Sequence, residues 1–211
     1  MQDPHVLTIA ATGASGAVFT RALLKAIEAD WRVKNVNFIA SDNALRVFAE
    51  ELDIKGRSDL VQKLIGAKTK KINQQNNDDI GASVASGSYP TNGMIILPCS
   101  AGTLGGIAHG LARNLIERAA DVCLKERRPL VLCVRETPLN RVHIRNMDLA
   151  AEAGATIYPL IPTFYNRPAT IEQMAHQFAC RVLAFVGLAQ DDAFVWGEGQ
   201  KKRGDKKEIG G

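Results

Sequence analysis

Long apolar runs and paired metal-ligand signatures are missing from this sequence of 211 residues. The chain has no run of about 18 apolar residues, so we expect no membrane span. The start, MQDPHVLTIAATGASG, lacks a basic region ahead of its apolar stretch, which predicts a first β-strand and not a signal peptide. The four cysteines show no CxxC spacing, and HExxH is absent. We therefore expect free buried thiols, a cytoplasmic location and no metal site.

A large excess of one charge is also missing from most of the chain. The formal net charge is +4, but the last eleven residues, KKRGDKKEIGG, hold five basic and two acidic groups, which leaves residues 1–200 with +1. A nucleic-acid-binding surface needs a basic stripe on the folded body. The sequence therefore predicts that nucleic acid is not the partner.

The hydrophobic pattern alternates between strands and helices. Short apolar runs that predict strands occupy residues 6–11, 33–40, 94–97, 130–134 and 155–158, and helical spacing fills most of the intervals through residue 188. Strands buried on both faces and separated by helices indicate a mostly parallel α/β sheet with helices on both faces. We interpret residues 55–92 as a variable surface excursion, residues 1–190 as one domain and residues 191–211 as a C-terminal extension with a basic end.

Small hydroxylated turns follow the predicted strands. Thr12-Gly13-Ala14-Ser15-Gly16 follows the first, Ser41 the second, and Ser100-Ala101-Gly102-Thr103 the strand over residues 94–97. Ligands of such sheets bind at the carboxyl ends of the strands, and helix N-termini there favour phosphate. The pattern favours a cradle for a phosphorylated cofactor; the alternatives are tight turns that bind nothing and a helix-capping role for Ser41.

Other polar residues leave more alternatives open. Arg135 and Glu136 follow the strand over residues 130–134, where a phosphate ligand and an acid or base are expected, although a surface ion pair is the alternative. The composition of the charged run Lys125-Glu126-Arg127-Arg128 favours a solvated helix end, because cations are stabilised at helix C-termini. The four histidines show no hydrolase-triad pattern, and Cys99 is interpreted as a packed thiol.

Several ordered segments carry a family resemblance. They are TGASGA at residues 12–17, PCSAGTL at 98–104, NLIERAADVCLKERRPLVL at 114–132, RETP at 135–138 and FYNRP at 164–168. Together they resemble the UbiX-type flavin prenyltransferases from about residue 6 to residue 188, and Trp196-Gly197-Glu198 resembles a C-terminal element of that family.

The resemblance implies a flavodoxin-like Rossmann fold that binds FMN. It implies transfer of a dimethylallyl group from dimethylallyl monophosphate to N5 and C6 of reduced FMN, without a metal. The prenylated flavin would serve a UbiD-type decarboxylase, and the enzyme would assemble as a homododecamer with sites at subunit junctions.

The resemblance also implies roles for individual residues. Those implied to bind FMN are Gly13, Ala14, Ser15, Ser41, Ser100, Ala101, Gly102, Thr103 and Arg135. Those implied to bind the prenyl phosphate are Arg118, Lys125, Tyr165 and Arg181. The implied catalytic residues are Ser15, Glu51, Lys125 and Glu136, with Glu51 preferred over its neighbour Glu50 as a proton-handling carboxylate.

Two other functions compete with this interpretation. An FMN-dependent cysteine decarboxylase would need an early catalytic histidine and a PxMNxxMW-like loop, whereas here Asn146-Met147 is followed by Asp148. A non-enzymatic flavin carrier would not need Lys125 and Glu136 together.

Overall fold

The computed structural model describes residues 5–195, so Trp196-Gly197-Glu198 and the basic tail lie outside the described residues. The strands within this part are β1 (His5–Ala11), β2 (Val33–Ala40), β3 (Ile72–Gln75), β4 (Gly93–Cys99), β5 (Leu130–Val134) and β6 (Thr156–Ile157). The helices are α1 (Ala17–Ala29), α2 (Asp42–Leu52), α3 (Leu60–Ile65), α4 (Ala101–Ala108), α5 (Leu115–Lys125), α6 (Arg141–Glu152) and α7 (Ile171–Ala184).

The strands form one parallel sheet in the order β3-β2-β1-β4-β5-β6. The predicted doubly wound α/β fold is therefore confirmed. The strand order reverses between β1 and β4, where Ala10 lies opposite Ile96. This topological switch point is where open α/β sheets place their ligands.

Side chains of alternate strand residues enter two apolar clusters, one on each face of the sheet. Ile9 and Ile95 pack with α1 and α7, whereas Ala10 and Ile96 pack with α4 and α5. Every residue of β4 is buried. Burying an Ile or Leu side chain contributes about 1.5–3 kcal/mol, so these runs fix the central strands firmly.

The prediction that residues 55–92 are only a surface excursion is wrong. Ile72–Gln75 forms the edge strand β3, which pairs with β2. Its sequence, INQQ, holds one apolar residue, because the pairing face is polar: the Asn73 amide donates to Asn35 Oδ1 (2.7 Å) and the Gln75 amide to Asn37 Oδ1 (3.0 Å).

Helical spacing in the sequence predicts one helix that runs to residue 113 and another that runs to residue 188, but both end earlier. Helix α4 stops at Ala108 and is followed by Gly110 with φ of 64°. Helix α7 stops at Ala184, ahead of Gly187 with φ of 80°. Left-handed glycines commonly terminate helices. Within residues 5–195, no helix is both long and apolar enough to cross a membrane.

Candidate active site

The turns after β1 and β4 are joined through one buried side chain, Thr12. Its backbone N–H donates to the Pro98 carbonyl (3.1 Å), and its hydroxyl donates to the same carbonyl (3.0 Å). The hydroxyl also accepts a hydrogen bond from the backbone N–H of Ser100 (2.8 Å). The two predicted turns therefore form one rigid crevice at the switch point.

The first turn has no room for larger residues at its glycines. A Cβ atom at Gly13 would lie 2.4 Å from Cβ of Asn43, and one at Gly16 would lie 2.7 Å from Leu160. Gly16 also has a φ of 127°, a conformation that L residues rarely adopt. Gly13 and Ser15 are exposed, whereas Ala14 is buried. The turn thus presents backbone and the Ser15 side chain to solvent.

A carboxylate lies at the N-terminus of α1. Glu51, near the end of α2, accepts hydrogen bonds from the backbone N–H groups of Gly16 (3.0 Å) and Ala17 (2.8 Å). Its neighbour Glu50 instead pairs with Arg46 (2.8 Å) at the surface. Of the two adjacent acids, the structure brings Glu51 to the crevice, beside Ser15.

The second turn leaves an open helix N-terminus. Ser100 caps α4 by accepting from the N–H of Thr103 (3.3 Å), and its carbonyl accepts from the N–H of Leu104 (2.9 Å). The first N–H groups of a helix have no intrahelical partner, which leaves those of Ala101 and Gly102 for a ligand. A Cβ atom at Gly102 would meet no atom within 4 Å. This open cradle fits the phosphate of the FMN that the resemblance implies.

The hydroxyl of Ser41 is engaged in a helix cap. It accepts from the N–H of Ala44 (3.1 Å), and the Ser41 N–H donates to the carbonyl of Ala11 (3.1 Å). The capping alternative is therefore confirmed, while the residue remains at the same edge of the sheet as the first turn. Sequence reasoning missed Arg57, which lies here, donates to the Ala40 carbonyl (3.2 Å) and pairs with Asp42. Arg57 could not be found from a local sequence pattern, because the path of the loop after α2 is what brings it back to the end of β2.

Arg135 and Glu136 reach this edge through β5. The N–H of Arg135 donates to the carbonyl of Cys99 (3.0 Å), directly beside the second turn. The Glu136 carboxylate accepts from the N–H of Thr137 (3.0 Å), and both charged side chains are exposed. Their placement agrees with the prediction from their position after a strand.

Tyr165 lies in the loop between β6 and α7. The loop begins beside the crevice, because the N–H of Leu160 donates to the carbonyl of Val134 (2.8 Å) and Leu160 packs near Gly16. Tyr165, Phe164 and Ile161 are all largely exposed.

One chain does not bring the remaining predicted cations to the crevice. Lys125 ends α5, five residues ahead of β5, and pairs with Glu126. Strand β5 has five residues, so Lys125 lies roughly 15 Å away at the amino edge of the sheet. Arg181 lies in the last turn of α7, also displaced toward that edge. Arg118 pairs with Asp121 (2.7 Å) and donates to the carbonyl of Ala85 (3.2 Å).

The cysteines in this part of the chain are free and buried, as predicted. Burial raises the pKa of Cys99, the thiol nearest the crevice, to about 12. A thiol with so high a pKa is a poor nucleophile, which agrees with a packing role.

The sequence is similar to known proteins over most of its length. The sequence matches the family described as Flavoprotein over residues 1–177. It is 40% identical over 204 residues to the flavin prenyltransferase UbiX of Pseudomonas aeruginosa, covering 94% of this chain and 97% of that protein.

Two solved structures are similar over most of their length. One is AnUbiX in complex with FMN and dimethylallyl pyrophosphate, with a TM-score of 0.82 and 36% identity, covering 92% of this chain and 97% of that one. The other is a dodecameric FMN-dependent UbiX-like decarboxylase from Escherichia coli O157:H7, with a TM-score of 0.80 and 38% identity, covering 90% and 98%.

The FMN-dependent cysteine decarboxylase TvaF has a TM-score of 0.55 and is 15% identical, covering 72% of this chain and 88% of that one. That likeness shows a shared fold alone. The chain belongs to the Flavoprotein family and, within it, to the UbiX-type flavin prenyltransferases.

Proposed function

We propose that this protein is a flavin prenyltransferase. It joins the dimethylallyl group of dimethylallyl monophosphate to N5 and C6 of reduced FMN, releases inorganic phosphate, and supplies the product to a UbiD-type decarboxylase. The observation that carries the proposal is the crevice that Thr12 builds from two glycine- and serine-containing turns. It occurs in a chain 40% identical to a flavin prenyltransferase over 94% of its length.

The crevice residues bind the flavin. The backbone N–H groups of Ala101 and Gly102 receive its phosphate, Ser15 and Arg135 add polar contacts, and Gly13 allows the cofactor to approach the backbone. Ser41 acts through its backbone position, because its hydroxyl caps α2. Bound reduced FMN supplies the two nucleophilic atoms of the reaction.

Cleavage of the allylic C–O bond leaves negative charge on the departing phosphate. Lys125, Arg181 and Arg118 stabilise that charge, and the Tyr165 phenol donates a hydrogen bond to it. Because Lys125, Arg181 and Arg118 are not at the crevice of their own chain, we propose that they act at the crevice of a neighbouring copy.

Forming the new ring requires loss of a proton from C6 of the flavin. Glu136 lies at the carboxyl end of β5 and accepts this proton, while Glu51 serves proton transfer beside Ser15. Glu51 is held in place by the backbone N–H groups of Gly16 and Ala17 at the N-terminus of α1.

Assembly into a homododecamer completes the site in this proposal. Large apolar side chains remain exposed on α6 and on the loop that follows β6, and such patches mark protein contacts. They are Val142, Ile144, Ile161 and Phe164, together with Ile171 at the start of α7. The buried free thiols support a reducing, cytoplasmic location.

The experiment that tests this function is anaerobic incubation of the protein with reduced FMN and dimethylallyl monophosphate. We expect a flavin heavier by one prenyl group, with release of inorganic phosphate. A flavin of unchanged mass would contradict the proposal, and omission of the prenyl donor is the control.

A further inference from the structure

Three side chains with metal-binding atoms meet on the outer side of α7, outside the proposed active site. His176 and Cys180 are one helical turn apart, with 3.5 Å between Nε2 and Sγ. Asp192 comes from the segment after α7 and places Oδ2 2.6 Å from His176 Nε2 and Oδ1 3.8 Å from Cys180 Sγ. The ligand atoms all lie within 4.8 Å of one another.

The segment that carries Asp192 is anchored to α7. The Gln177 side chain donates to the carbonyl of Asp192 (3.0 Å) and accepts from the N–H of Phe194 (2.7 Å). Because Gln177 neighbours His176 on the helix, these two hydrogen bonds fix the position of the Asp192 carboxylate relative to the imidazole.

The arrangement does not fit a Cys–His–Asp catalytic triad. In a triad the acid binds one ring nitrogen of the histidine and the nucleophile faces the other. Here Asp192 and Cys180 both approach the same nitrogen, Nε2 of His176. Three ligand atoms that converge on one point are the arrangement a metal ion requires.

The distances suit a tetrahedral zinc site. Zn–N and Zn–S bonds of about 2.0 and 2.3 Å place neighbouring ligand atoms roughly 3.3–3.6 Å apart. The N···S distance of 3.5 Å already agrees. The S···O distance of 3.8 Å is to Oδ1, whereas His176 contacts Oδ2, so a single ligating oxygen requires the carboxylate to turn. The N···O distance of 2.6 Å is a direct hydrogen bond, which widens when a cation replaces the shared proton.

The charges also favour a divalent cation. The Cys180 thiol is buried beneath the partly exposed His176 and the exposed Asp192. A dipositive ion balances one thiolate and one carboxylate, and its binding releases the thiol proton.

We propose that His176, Cys180 and Asp192 form a Zn²⁺ site with water in the fourth position. A thiolate and an imidazole favour Zn²⁺ over Mg²⁺ or Ca²⁺. Asn166 lines a solvent-open cavity with His176 and Asp192, which leaves room for that water. The ion fastens the segment after α7 to that helix, independently of prenyl transfer.

The test uses the full-length, untagged protein after treatment with a chelator. Calorimetric titration is expected to show one Zn²⁺ per chain, and titration with Co²⁺ to show thiolate-to-cobalt absorption together with the d–d bands of a tetrahedral ion. Since changes to outer-shell partners alone cost roughly 10–100-fold in metal affinity, we expect Cys180→Ser to lower zinc affinity by more than about 100-fold and abolish the thiolate band.

Two further variants keep the result interpretable. Asp192→Asn changes an exposed side chain that the core does not need, and it should also weaken zinc binding, by about tenfold or more. Cys123→Ala, which removes a buried thiol on α5, should bind zinc like the parent protein. Absence of the thiolate band, unchanged affinity in Cys180→Ser, or an equal loss in Cys123→Ala would overturn the proposal.

Discussion

The side chain of Thr12 holds Ser100 in place: its hydroxyl accepts the backbone N–H of Ser100 at 2.8 Å while donating to the carbonyl of Pro98 at 3.0 Å. One buried hydroxyl thus links the ends of the two strands that flank the topological switch point. The crevice between them depends on this link, and the proposed flavin site depends on the crevice.

Replacing Thr12 by Val should separate the two turns. The nearly isosteric side chain leaves the Ser100 N–H without its acceptor, which costs about 1–3 kcal/mol of unfolding free energy. We also expect FMN affinity to fall roughly tenfold, equivalent to about 1.4 kcal/mol. Urea unfolding and flavin fluorescence titration measure the two effects. Thr12→Ser, which keeps the hydroxyl, is the matched control, and equal behaviour of the two variants would contradict this account.

Glu51 and Glu50 provide a matched pair of carboxylates. Glu51→Gln removes the negative charge from the N-terminus of α1, which should lower the unfolding free energy by about 0.5–2 kcal/mol. It should also slow prenyl transfer while FMN remains bound. Glu50→Gln removes only an exposed i,i+4 pair with Arg46, which contributes little to stability, and should keep its turnover rate. Denaturant unfolding and single-turnover flavin mass measurements distinguish the two, and a larger catalytic loss in Glu50→Gln would reverse the assignment.

The central strands were predictable because their apolar runs are buried on both faces of a parallel sheet. Strand β2, over residues 33–40, was predicted with its observed bounds, and the loss of apolar pattern in INQQ explains why β3 was not. An edge strand stabilised by Asn and Gln cross-strand pairs has no hydrophobic periodicity to detect.

The candidate site was predictable only in part, for a similar reason. Ser100 and Arg135 follow strands, so topology alone places them at the crevice. Arg57 and Asp192 reach their partners through loops whose paths no local pattern specifies. The His176–Cys180 pair was missed because its spacing of one helical turn becomes informative only when Asp192 is brought beside it.

Low pH should weaken the hydrogen bond between Asp30, just ahead of β2, and Gln190 in the segment after α7. Burial alone would raise the pKa of Asp30, but hydrogen bonds from Arg32 and Gln190 lower it from 3.8 to about 2. A carboxyl group with a lowered folded-state pKa stabilises the protein above its unfolded pKa and loses that effect as pH falls through the folded value. The contribution, about 2 kcal/mol, should therefore be complete above about pH 5 and disappear between roughly pH 4 and 2.

Asp30→Asn isolates this contribution. The variant should be less stable than the parent protein at pH 6, and the difference should shrink as the pH is lowered toward 3. Denaturant unfolding at a series of pH values measures it. Arg46→Gln, which removes an exposed ion pair, should show a small difference that hardly changes over this range. If the difference in unfolding free energy between Asp30→Asn and the parent protein stayed constant with pH, the lowered pKa of Asp30 would not be its cause.

Sharing of one active site between copies can be tested with two inactive variants. Lys125→Ala removes a cation at the amino edge of the sheet, and Glu136→Ala removes a carboxylate at the carboxyl edge. Each variant alone should bind FMN and fail to turn over. If each site takes these residues from different chains, random mixed oligomers made by co-expression regain about one quarter of parental activity, because both donors are intact in about one site of four. If one chain supplied both residues, every site in the mixed oligomers would lack either Lys125 or Glu136, and no activity would return. The double variant co-expressed with the parent protein is the control, and mixed oligomers without activity would contradict a shared site.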